Sequence, residues 1–121
     1  MANTSTRAIG NRGEDIAVAF LESKGFTILE RNYTFERSEI DIIAQDDSTI
    51  VFVEVKLRRS THFGRPEEFV DDKKIQYIYR AAEGWMYERC IQQVPVRFDV
   101  IAIIDIKNDQ PQINHLIDAF R

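Results

Sequence analysis

Ser38-Glu39-Ile40-Asp41-Ile42-Ile43 and Thr49-Ile50-Val51-Phe52-Val53-Glu54-Val55-Lys56-Leu57-Arg58-Arg59 decide the fold. Both runs are β-branched and strongly apolar, and the polar Asp46-Asp47-Ser48 lies between them. That pattern predicts two antiparallel strands joined by a tight turn. Charges interrupt both: Glu39 and Asp41 in the first, Glu54 and Lys56 in the second. With Asp47-Ser48 as a two-residue turn, Asp46 stands opposite Thr49, Asp41 opposite Glu54, and Glu39 opposite Lys56. Side chains alternate with a period of two, so this register puts all four charges on one face. A slip of one residue would send Glu54 and Lys56 to the other face.

The competing reading is a face that is simply wet. It predicts polar residues throughout, yet Ile43, Ile50 and Phe52 share the parity of the charges. Ile40, Ile42, Val51, Val53 and Val55 occupy the opposite parity. Both faces then need covering, as in a sheet with helices on each side. Charges under such a cover are costly unless paired or metal-bound. Three acids and one lysine suit a divalent cation. Mg²⁺ takes carboxylate oxygens, keeps several waters and works on phosphates. A neighbouring ammonium can hold the attacking water or stabilise the transition state.

Glu39-Ile40-Asp41 followed by Phe52-Val53-Glu54-Val55-Lys56 resembles the PD-(D/E)xK nuclease-like superfamily. The chain is more closely similar to the YraN-like family of bacterial proteins, from Gly10-Asn11-Arg12-Gly13-Glu14 through Arg97-Phe98-Asp99-Val100-Ile101. Ser38 departs from the glycine usual in that family, and Ile40 stands where the superfamily carries proline. The resemblance implies a restriction-endonuclease-like αβββαβ core with an architecture like Holliday-junction resolvases. It implies Mg²⁺ (or Mn²⁺) held by Asp41, Glu54 and the Val55 carbonyl. Lys56 would act on the attacking water, with Glu39 and Glu14 in support. It further implies nucleic acid as partner, DNA rather than RNA, and a homodimer. A non-cutting nucleic-acid-binding or assembly protein with the same fold is the alternative function.

The rest of the chain fits one α/β domain. At 121 residues and 44% hydrophobic it can bury a single core. One cysteine, Cys90, excludes an internal disulfide and a thiolate zinc cage. The polar start, Met1 to Arg7, reads as a loose tail without a secretory apolar segment, so a cytoplasmic, membrane-free setting is expected. The net charge of −4 opposes the basic footprint of most DNA-binding domains. Only Lys56, Arg58, Arg59, His62 and Arg65 cluster, and acids follow at once. That cluster is either a solvated loop or a phosphate-contacting rim that includes Arg58 and Arg59.

A first helix is predicted from about Asn11 to Lys24, with Ile16, Ala17, Phe20 and Leu21 as its stripe and Gly25 as its stop. Glu14 lies beside that stripe. It is either a helix-start acid favoured by the dipole or a further ligand aimed at the sheet. Thr27–Tyr33 reads as a strand, and Leu57–Pro66 as a loop. A second helix starts between Glu67 and Asp71 and runs to about Arg89, its stripe formed by Ile75, Ile78, Tyr79, Ala82, Trp85 and Met86. Lys73, near its start, is either solvated or a phosphate contact. Val96–Asp105 is a strand parallel to the Thr49–Lys56 strand, because a helix connects the two. Arg97 and Asp99 share a face as an ion pair, and Gln112–Leu116 adds an edge strand, with Phe120 packing back.

Overall fold

A computed structural model describes residues 4–58, 71–106 and 109–120, with side chains from Arg12 onward. The elements run α1 (Thr4–Ser23), β1 (Thr27–Phe35), β2 (Ser38–Asp46), β3 (Thr49–Arg58), α2 (Asp72–Glu88), β4 (Val96–Ile104) and β5 (Gln112–Phe120). The strands form one mixed sheet in the order β1-β2-β3-β4-β5. Only β3 and β4 are parallel, as a helical crossover requires. The α/β fold with an αβββαβ core is therefore what the chain adopts, with β5 added at the edge.

The central hairpin has the predicted turn. Asp46 pairs with Thr49, and Asp47 takes a positive φ of 60°, which an aspartate tolerates. Each sheet face carries its own core. Under α1 lie Ile42, Ala44, Val51, Val53, Ile101 and Ile103, packed with Ala17 and Leu21. Under α2 lie Ile43, Ile50, Phe52 and Val100, packed with Ile78, Ala82 and Trp85. A two-sided core explains why β3 reads as a nearly continuous apolar run.

The α1 helix ends where the sequence places its stop. Gly25 has φ +93°, its amide donates to the Glu22 carbonyl, and the Phe26 amide donates to the Leu21 carbonyl. Those paired bonds and a left-handed glycine make a Schellman ending. The start differs from expectation. Helix α1 begins at Thr4 rather than Asn11, so residues 4–7 of the expected tail are helical and only residues 1–3 lie outside the described chain. Near its middle, Gly13 lets the helix close on β3, since a Cβ there would stand 3.2 Å from Leu57 Cβ. That approach sets the height of the next residue, Glu14, above the sheet.

One expectation about the sheet fails. Alternation does not hold through β1 and β2. Tyr33 and Ile40 belong to the α2-side core, although Ile42, two residues on, belongs to the α1 side. The cause lies at Asn32, whose φ of 55° is left-handed. Arg31 therefore meets Glu14 and Asp15 of α1, while the Tyr33 hydroxyl donates to Glu88 of α2. Opposite Asn32, in the Arg31↔Ile42 and Tyr33↔Ile40 register, stands Asp41.

Candidate metal centre

The β2–β3 ladder pairs residues from Asp46↔Thr49 up to Ile42↔Val53 and then stops. In that register the next hydrogen-bonded pair would be Ile40↔Val55. Instead the Val55 amide donates to Asp41 Oδ2 at 2.8 Å. The aspartate thus occupies the opening between the two strands. A strand residue's N–H and C=O point the same way, so the Val55 carbonyl faces that opening too.

The expected single charged face becomes two, and the Asp41–Glu54 and Glu39–Lys56 pairings do not form. Ligand oxygens of Glu14, Glu39 and Asp41 lie within 4.8 Å of one another. Glu14 comes from α1, so Glu39 serves that side. Glu54 serves the other, where its Oε1 meets Lys56 Nζ at 3.3 Å and Lys74 Nζ at 2.6 Å. Asp41 stands between the groups and feels the Glu54 charge directly.

The electrostatics follow from burial. Glu14 is only 9% exposed, and its Oε1 accepts no hydrogen bond; Arg31 Nη2 stands 3.7 Å from it. Desolvation raises its pKa, opposed by a hydrogen bond from Asn32 and by the Arg31 charge. Asp41 is pushed up to about 7, first by burial and then by Glu54, against the hydrogen bond from Val55. Burial and the neighbouring Lys74 lower Lys56. Burial also pulls on Lys74, but its hydrogen bond to Glu54 and the Glu54 and Asp41 charges win and raise it. Near Asp41 the acids crowd one another, with Arg31 the cation beside Glu14, whereas Glu54 holds two ammonium groups.

Such a set fits a divalent cation. It offers carboxylate oxygens and one backbone carbonyl, the donor type that hard cations prefer. It also contains a buried carboxylate oxygen, Glu14 Oε1, without a hydrogen-bond partner, and groups of that kind call for an ion or an equivalent donor.

Arg58 ends β3 and donates to the Leu57 carbonyl, while Arg59 and His62 lie outside the described residues. Lys73 is exposed, and it is Lys74 that reaches the site. A usable signal existed. Lys74, Ile78, Ala81, Ala82 and Trp85 follow helical spacing, so Lys74 shares the buried, sheet-facing stripe. Arg97 and Asp99 form the expected ion pair at 3.0 Å. It is part of a separate cluster with His115 and Asp46.

Fold and site together define an α/β domain that gathers acids and lysines where its central hairpin opens. The chain belongs to UPF0102, the YraN-like family, whose model is described as "Uncharacterised protein family UPF0102" and matches residues 13–103. It is similar to the UPF0102 protein of Geotalea daltonii, 46% identical over 114 residues, or 94% of this chain and 90% of the relative. It is 43% identical over 112 residues to that of Flavobacterium psychrophilum, covering 93% and 92%. The Persephonella marina relative is 44% identical over 111 residues, covering 92% and 91%.

Proposed function

We propose that this protein is a metal-dependent nuclease-like enzyme acting on phosphodiester bonds of nucleic acid. The observation that carries the reading is the convergence of Glu14, Glu39 and Asp41, with Glu54 and Lys56 alongside, at the break in the β2–β3 ladder. Asp41, Glu54 and the Val55 carbonyl would hold Mg²⁺ or Mn²⁺, supported by Glu14 and Glu39. A bound ion supplies a more acidic water and offsets charge on a phosphoryl oxygen. Lys56 would orient the attacking water and face the negative charge that develops on the phosphoryl oxygens. Arg58 and Lys73 would contact phosphates, a role the reading extends to Arg59, which lies outside the described residues. DNA as substrate and a homodimeric working form belong to the same reading, and the backbone contacts would make binding salt-dependent.

The second reading is a nucleic-acid-binding or assembly protein that keeps the nuclease-like fold without cutting, and the net charge of −4 weighs on both readings alike. The two separate cleanly. Purified protein with Mn²⁺ is incubated with single-stranded, duplex, flap and four-way substrates. Cleavage that disappears in Glu54→Gln supports the enzyme. Binding without cleavage on every substrate, with either metal, selects the binder. Among the described residues no helix is long and apolar enough to cross a membrane.

A further inference from the structure

We propose that Lys74 is a positioning residue that competes with the divalent cation for Glu54. The inference rests on the metal-centre reading above and concerns how that centre is held without its ion. Lys74 Nζ lies 2.6 Å from Glu54 Oε1, and Lys56 Nζ lies 3.3 Å from the same oxygen. Glu54 is buried, with its side chain only 6% exposed, so the pairing has one buried partner and one, Lys74, that reaches in from the surface.

The location of Lys74 is not explained by its helix. It sits in the first turn of α2, where the macrodipole disfavours a cation. Its backbone is fixed there, because its amide donates to the Asp71 cap at 2.8 Å. The side chain therefore extends from a rigid anchor towards the sheet.

Charge is poorly distributed across the opening. Two ammonium groups crowd one oxygen of Glu54, while Glu14, Glu39 and Asp41 crowd one another on the far side. A divalent cation seated between the groups relieves the crowded acids. It also needs Glu54, and that carboxylate must turn from the ammonium groups to reach it. Lys56 is two residues from Glu54 on the same strand and stays beside it. Lys74 comes from another element, so it is the group released. Its side chain is 39% exposed, which leaves the freed ammonium facing solvent and any incoming phosphate.

The test is cation binding, measured calorimetrically with Mn²⁺ and with Ca²⁺ alone on the full chain. Lys74→Met should bind either ion about tenfold more tightly than wild type, the least expected for removing a unit charge beside a divalent ion at a water-like dielectric. Lys74→Arg retains the charge and should restore weaker binding. In a Glu54→Gln background the gain from Lys74→Met should shrink, as a double-mutant cycle requires of two coupled groups. If Lys74→Met fails to fold, acylation footprinting of wild type replaces it, and Lys74 should become more reactive when Ca²⁺ is added. Equal affinities for wild type and Lys74→Met, or unchanged Lys74 reactivity with Ca²⁺ bound, would overturn the competition while leaving the metal centre intact. Absence of any binding by wild type or Lys74→Met would overturn both.

Discussion

Replacing Asp41 by asparagine should stabilise the metal-free protein. The Asp41 carboxyl titrates at about 7 in the fold, against 3.8 ordinarily, because burial and the Glu54 charge oppose its ionisation. An acid whose pKa is raised by folding contributes most below its unfolded value. That contribution is lost as pH rises from about 4 through the folded value near 7. At roughly 1.4 kcal/mol per unit, the full displacement amounts to about 4 kcal/mol by pH 8. Partial exposure and relaxation of the site reduce this, so a gain of about 2–4 kcal/mol is expected for Asp41→Asn. The asparagine oxygen can still accept the Val55 amide, so the strand opening should survive. Urea unfolding in EDTA, at intervals from pH 4 to pH 8, measures the gap between variant and wild type. It should be near zero at the acid end, widen up to about pH 7 and then level off. Mn²⁺ at pH 8 should raise wild-type stability and do less for the variant. A variant less stable than wild type at pH 8 in EDTA would refute the reasoning, since Asp41 would then be an ion-pair partner instead of a strained acid.

Three other outcomes are expected. Lys56→Ala should lower single-turnover cleavage by roughly a hundredfold while weakening substrate binding far less, and Lys56→Arg should not fully restore it; unchanged cleavage would remove the role assigned to Lys56. Asp99→Ala should cost about 3–5 kcal/mol in denaturant titrations, because it removes the fully buried carboxylate that Arg97 and His115 share and leaves Arg97 only its pairing with Asp46. Burial raises the Asp99 pKa, but hydrogen bonds from His115 and Arg97 outweigh it and lower the value. Wild type should therefore lose this contribution as pH falls below the ordinary carboxylate range, and the variant should show a flatter acid limb. Gly84→Ala should lower stability by about 1–3 kcal/mol through overpacking, since its Cβ would lie 2.6 Å from the Phe35 ring; thermal melts of the variant, with and without Phe35→Leu, check this.

Local chemistry in the sequence determined the order of elements, the Asp47-Ser48 turn, the glycine stop of α1, the parallel β3–β4 pair and the Arg97–Asp99 ion pair. Each depends on neighbours in the chain, on strand period, or on a connection long enough to need a helix. Glu14 was legible as a residue beside the buried stripe of α1, with a place in the carboxylate cluster as one of its two readings, and the tertiary structure decided between them by bringing it to Glu39 and Asp41. Alternation carried Glu39 to the wrong face because it assumes unbroken β geometry. The left-handed Asn32 in β1, facing Asp41 in β2, interrupts that geometry and turns the two ends of the strands to different helices. Asparagine is among the residues that tolerate this conformation, so sequence shows where the break is allowed but not whether it occurs. Lys73 and Lys74 differ by about 100° around α2, and its packing on the sheet decided which one meets Glu54. The opening between β2 and β3 is likewise a tertiary fact: Asp41 takes the Val55 amide only because three elements hold the strands apart and the acids together.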